Sequence, residues 1–289
     1  AGEILVVAPT STAARDMAGE LGESAQGVRV CTARDFELAL LVMPEARAVV
    51  GRRPHVLCDF EESFLLEDMR ATGVPARRLK GMLGFFRKSL TELADDDPSW
   101  LLAGEESNVH KLLKGNLAFT RSIAEPEAGN LAVNYLRGHA GARDAHSFAH
   151  VLVDDYQRIS RASQLLADLV AAETLTIAGD RAACVQVYDS YPYAAGLDEF
   201  MDAHEGAEDI ELSACHACAA GAAAASKLLA DSAMQSIAFH VAEGVAAGQT
   251  TMLEANLPKD EFGAVARFVA DAVAGGMSPA DVTVATPNG

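Results

Sequence analysis

The chain has 289 residues, half of them hydrophobic and 22% charged, with a mean hydropathy of +0.10, a composition that folds rather than stays disordered. No apolar run reaches the ~20 residues of a bilayer span, so a membrane role is not expected and a cytoplasmic location is; five scattered cysteines do not make a disulfide scaffold. Lys plus Arg number 23 and Asp plus Glu 41, a formal net charge of −18, so broad attraction to nucleic acid is excluded and any such role must rest on a local basic patch.

The charge is unevenly spread. Residues 51–125 carry 11 basic and 12 acidic residues, whereas 126–289 carry 8 and 22. Nearly half of all the cations therefore lie in the middle stretch.

Ile4-Leu5-Val6-Val7-Ala8 reads as a buried strand stopped by Pro9-Thr10-Ser11. Ser11 or Thr12 is expected to cap a helix with apolar positions Ala14, Met17, Ala18 and Leu21. Val28-Arg29-Val30-Cys31-Thr32 follows as a second strand, and strand, helix, strand at this spacing is a parallel α/β unit.

Residues 51–125 lack a β-branched run and read as an all-helical insertion, with Phe64–Met69 and Leu79–Phe86 in helical pattern. Its basic clusters Arg77-Arg78-Lys80 and Arg87-Lys88 suit a solvated helix face. Trp100, the lone tryptophan, suits a core anchor of this insertion better than a base-stacking platform.

The parallel sheet resumes at His150-Val151-Leu152-Val153 and stops at Asp154-Asp155. A helix through Ser163, Leu165, Leu166 and Leu169 leads to the strand Leu175-Thr176-Ile177-Ala178, stopped by Gly179-Asp180. An Ala-rich helix is expected over Ala214–Ala225, then a helix over Phe262–Val273 and a strand over Asp281–Ala285. A first strand so near Ala1 and a last one so near Gly289 lead us to expect an excised fragment.

Two adjacent acids at the C-terminal end of an apolar strand lie where open α/β sheets bind ligands. This is the pattern of a nucleotide-hydrolysing strand, in which the first carboxylate holds Mg2+ and the second handles the attacking water. A phospho-receiver domain also ends a strand on two acids, but it needs a Lys after a later strand and none appears between Asp180 and Lys227. Cys215-His216-Ala217-Cys218 lacks the second cysteine pair of a structural zinc site, and Cys184 has no His and acid partners nearby to make it a nucleophile.

In order along the chain, four segments resemble the UvrD/Rep/PcrA-type DNA helicases of superfamily 1. Ile4–Met17, with Thr10, Ser11, Thr12 and Ala13-Ala14, is similar to the family's first single-strand-contacting motif, and Val30–Phe36, with Thr32, to the next. Val151-Leu152-Val153-Asp154-Asp155-Tyr156-Gln157 resembles Val-Asp-Glu-x-Gln, and Leu175–Asp180 the opening of the Gly-Asp-x-x-Gln motif.

The resemblance implies a RecA-like parallel sheet of the P-loop NTPase type. Its first domain would be discontinuous, over 1–50 and 140–206, with a helical insertion over 51–139 and the start of a second RecA-like domain over 207–289. It further implies ATP and Mg2+ as cofactors, Asp154 on the metal, Asp155 as general base and Gln157 coupling nucleotide to DNA. Gly179 and Asp180 would meet the nucleotide, and Thr10, Ser11 and Thr32 the backbone of single-stranded DNA. DNA repair or recombination is the implied setting, with a nuclease or repair subunit as a further partner.

The departures imply a second possibility, a helicase-like scaffold without ATP turnover. Asp155 stands for the family's Glu, Arg181-Ala182-Ala183-Cys184 replaces the expected Gln, His216 falls where the family has Arg, and residues 126–289 are strongly acidic; no Gly-Lys dipeptide occurs in the chain, the family's P-loop being expected just upstream of the first motif. With so few cations, DNA binding is expected to be weak and salt-sensitive.

Overall fold

The computed structural model describes residues 3–101, 104–180, 183–184, 191–216, 223, 240–248, 251, 254 and 256–284. It divides into two compact units, Ala1–Ala207 and Glu208–Gly289. Among the described residues no helix is long and apolar enough to cross a membrane.

The first unit is mixed α/β. Four parallel strands, β1 (Ile4–Ala8), β2 (Val28–Thr32), β3 (Phe148–Val153) and β4 (Ala171–Ile177), lie in the order β2-β1-β3-β4. The register pairs Ala8 with Thr32, Val7 with Val153, and Val153 with Ile177, so the four C-terminal ends form one edge. The chain steps from β1 outward to β2 but from β3 outward to β4 in the other direction. The order therefore reverses between β1 and β3, the place where open α/β sheets form a crevice.

Side-chain alternation decides which face is covered. Leu5, Val7, Val151 and Val153 are buried beneath α2 (Ala33–Leu41), α7 (Glu127–Gly138) and α9 (Arg161–Val170), while Leu152 on the opposite face is 38% exposed. Helix α1 (Ser11–Leu21) packs on β1 and β2. Its cap is Thr10, extended at φ −140° and ψ 158°, whose Oγ1 accepts the Ala13 N–H at 3.1 Å; the expected caps Ser11 and Thr12 are already helical.

A second core fills the helical part. Met69, Leu79, Met82, Phe86, Val109, Leu113 and Leu117 pack together from α4 (Asp59–Met69), α5 (Ala76–Thr91) and α6 (Glu105–Thr120), and Trp100 packs partly buried against them. The chain enters and leaves this core on two adjacent stretches. Arg53 N–H donates to Arg121 O at 3.1 Å, Ile123 N–H to His55 O at 2.9 Å, and Leu57 N–H to Ile123 O at 3.2 Å. Helix α7, expected within the insertion, instead contributes Ala128, Ala132, Val133 and Leu136 to the sheet-side core.

Between these lie α3 (Pro44–Val50), which follows α2, and α8 (Ala140–Ala145), which leads into β3; α10 (Gly196–Ala203) closes the unit. The second unit contains the two-residue strands β5 (Ala214–Cys215) and β6 (His240–Val241) and helix α11 (Pro258–Ala274). The Ala-rich helix therefore does not begin at Ala214. The His240 N–H donates to Ser213 O and the Ala242 N–H to Cys215 O, so strand pairing overrides local helix propensity; most of 217–225 lies outside the described residues. The strand expected from Asp281 is absent across 281–284. Pro279–Asp281 make a 3-10 turn capped by Ser278, and no strand among the described residues pairs with Val282-Thr283-Val284.

Candidate functional site

At or within three residues of its C-terminal end, each strand of the sheet is followed by a polar residue, and the register brings these ends onto one edge. Across the sheet the order is Thr32 after β2, Thr10 after β1, Asp154-Asp155 after β3 and Gly179-Asp180 after β4. The Asp154 N–H donates to Val7 O at 2.9 Å, tying the acidic pair to β1, the strand that leads to Thr10. Thr10, Thr32, Asp154, Asp155, Gly179 and Asp180 thus follow one edge of the sheet.

Local bonding differs sharply among them. Thr10 is exposed and caps α1, with Ser11 exposed as the first helical residue. Thr32 caps α2 through a reciprocal pair: its Oγ1 accepts the Asp35 N–H at 3.1 Å and donates to Asp35 Oδ2 at 2.7 Å. Two helix N-termini, with backbone N–H groups and positive dipole ends, therefore lie on the same edge of the sheet, that of α1 after β1, the neighbour of β3, and that of α2 after β2, one strand further out.

Asp154 is half-buried, and its Oδ1 accepts the Asp155 N–H at 3.0 Å, the one hydrogen bond its carboxylate makes among the described residues. Desolvation, then repulsion from Asp155, pushes its pKa above the ordinary value. Asp155 adopts φ +49°, in the left-handed region that few residues other than glycine enter. Its Oδ1 accepts from Gln157 Nε2 and its Oδ2 from Arg158 Nη1, both at 3.1 Å.

Gln157 has no exposed surface and joins two strand ends, because its Oε1 also accepts the Asp180 N–H at 3.3 Å. Gly179 makes room for it. A Cβ there would fall 2.7 Å from both Gln157 Oε1 and Leu197 Cδ2. Arg181 and Ala182 lie outside the described residues, and Cys184 is half-buried with its thiol donating to Gln157 O at 3.9 Å.

Sequence reasoning passed over two residues that build this edge. Arg158, three positions after Asp155, is an ordinary i,i+3 partner, and that spacing was its one visible signal. Gln164 is buried and donates through Nε2 to Tyr156 O at 2.8 Å and Tyr193 O at 2.9 Å. A Cβ on Gly196 would collide with it, so that glycine fixes the approach of α10. Nothing in the local pattern marks such a staple.

Mg2+ takes one or two carboxylates and completes its shell with water and phosphate oxygens. Asp154 suits that role: it is accessible, lightly hydrogen-bonded and charged beside a second acid. Asp155 suits it only after giving up Arg158. Among the described residues no group of three or more His, Cys, Asp or Glu is placed to hold a metal, so an all-protein cage is not available there. Cys215 and His216 are described, but Cys218 lies outside the described residues.

The fold and site define a mixed α/β first unit whose four-stranded parallel sheet carries polar residues beyond its C-terminal strand ends. No protein-family model matches the chain, and no curated protein matches it significantly.

Proposed function

We propose that this chain is the nucleotide- and DNA-facing part of a UvrD/Rep-type helicase or translocase, with a RecA-like first domain. The observation that carries the reading is the convergence of Thr10, Thr32, the Asp154-Asp155 pair and Gly179-Asp180 on one sheet edge, at the point where strand order reverses. Asp154 would hold Mg2+, which when bound with ATP neutralises phosphate charge. Gln157 already links the acidic turn to the Asp180 backbone, so a shift at one strand end is felt at the next. The N-termini of α1 and α2 would receive backbone phosphates of single-stranded DNA.

A second reading is a helicase-like scaffold that binds DNA without turning over ATP, as a subunit of a nuclease or repair complex. One observation favours it. Asp155, the family's general-base position, is held by both Gln157 and Arg158.

The test is ATP hydrolysis by the full-length protein with and without single-stranded DNA, beside Asp154→Ala. Stimulation by DNA that Asp154→Ala abolishes supports the motor. DNA binding without hydrolysis selects the scaffold, and neither hydrolysis nor DNA binding overturns both.

A further inference from the structure

On the flank of the first unit, an open cleft of about 560 Å3 lies between α3 and the stretch that leaves α6. That is the size of a ligand cleft, typically about 300–1,000 Å3. It is lined by Arg47, Gly51, Arg52, Arg53 and Arg121 with small neighbours, and no aromatic or large aliphatic side chain faces it.

The cleft is assembled from distant parts of the chain by rigid means. Gly51 ends α3 in the left-handed conformation with its N–H on Arg47 O at 2.9 Å, and Arg121 ends α6 likewise at φ +55°. The Arg53 N–H on Arg121 O, at 3.1 Å, clamps the two stretches together. Arg52 is committed inward: it makes a bidentate pair with the buried Glu127, at 2.6 and 3.0 Å, and donates to Ser122 O at 3.2 Å.

Arg47, Arg53 and Arg121 are different. All three are exposed, and none pairs with a carboxylate among the described residues. In a chain with 41 acidic and 23 basic residues, acids are abundant enough to have neutralised them. Elsewhere in the helical part Arg70, Arg78 and Arg87 each have an acidic partner. A guanidinium is the group that matches phosphate oxygens two at a time.

We propose that this cleft binds the phosphodiester backbone of a nucleic-acid strand, as a contact separate from the strand-end edge. The inference rests on the reading that the chain handles single-stranded DNA, and it places a positioning site on the flank, outside the residues of that edge. With no ring to stack on, the cleft grips phosphates and is indifferent to bases.

The experiment measures binding of a fluorescent oligothymidylate to the full chain by anisotropy across a salt series, with inorganic tripolyphosphate and polyglutamate as competitors. Three phosphate contacts give a slope of about −2 in log K against log salt, at about −0.7 per phosphate for a single strand. Arg47→Glu/Arg53→Glu is expected to weaken binding at least tenfold and flatten the slope by about 1.4, with Arg47→Gln/Arg53→Gln intermediate and all melting curves unchanged. Equal binding by wild type and both double variants overturns the cleft site while leaving the strand-end reading intact. No oligothymidylate binding by wild type overturns both. Competition by tripolyphosphate or polyglutamate at concentrations equal to that of strand phosphate overturns the strand as occupant.

Discussion

Arg158 places Nη1 3.1 Å from Asp155 Oδ2, inside the turn that leaves β3. The pair removes one negative charge from the most acidic spot on the strand-end edge and leaves Asp154 as its less committed carboxylate. Both partners are about one-third exposed, at 35% and 32% of the side chain, so the bond contributes roughly 0–1 kcal/mol to stability. Its larger effect is electrostatic. Arg158→Ala is expected to raise Mn2+ affinity about three- to tenfold, read by electron paramagnetic resonance, and Asp154→Asn to abolish it. Identical Mn2+ affinity in wild type and both variants would remove the metal from this edge.

Gln157 connects β3 to β4 from a fully buried position. Gln157→Leu keeps much of the volume but leaves the Asp180 N–H without that acceptor and frees one Asp155 oxygen. A loss of about 1–3 kcal/mol in urea denaturation is expected. A loss below 0.5 kcal/mol would show that the link is ornamental.

Glu37 on α2 is 6% exposed in the core between α7 and α9. Its Oε1 accepts from Ser163 Oγ at 2.6 Å, and a Cβ on Gly129 would approach it to 3.0 Å. Burial raises its pKa to about 7, against the smaller lowering effects of Ser163 and Arg34. The folded state then holds a proton that the unfolded state releases from about pH 4.5. Stability is full below that pH and falls as pH rises to about 7, by about 3 kcal/mol. Glu37→Gln keeps an acceptor for Ser163 without a charge, so it is expected to flatten this slope between pH 5 and 8 in chemical denaturation. Asp154 and His204 are also raised and keep a residual slope of the same sign. A variant slope as steep as wild type would assign the effect to them.

His110 is buried against Phe86 and Trp100, at ring separations of 5.0 and 5.1 Å, and its Nε2 has no hydrogen-bond partner among the described residues. Desolvation, then the Lys114 charge, lowers its pKa, so its stability contribution is present above the ordinary histidine value and lost as pH falls. His110→Phe removes the orphaned nitrogen and is expected to stabilise the chain by about 1 kcal/mol at neutral pH, and by more at pH 5. Calorimetric melting at the two pH values measures it. Destabilisation at both would mean that the ring nitrogen is satisfied in solution.

The four sheet strands were legible because a short β-branched run ending on a turn residue is a local signal, and Asp154-Asp155 and Gly179-Asp180 are such endings. The helical insertion was legible through period and through the lack of β-branched runs. The cap fell at Thr10, just before the expected Ser11 or Thr12, because Thr10 holds the extended backbone that a cap requires. The assignment of α7 to the sheet-side core was not legible, because an amphipathic helix declares its apolar face and not its partner. The expected strand after Asp281 had the right residues but no partner strand among the described residues.

The order of polar strand ends along the chain, and the kind of residue at each, belong to the sequence alone. Which ends become neighbours belongs to the sheet order β2-β1-β3-β4. The commitment of Asp155 to Arg158, the wedging of Gln157 beneath Gly179, and the meeting of Arg47 and Arg53 with Arg121 needed the folded chain. Periodicity along a segment fixes what it exposes, whereas side chains some 70 positions apart meet only where backbone bonds such as Arg53 to Arg121 draw them together.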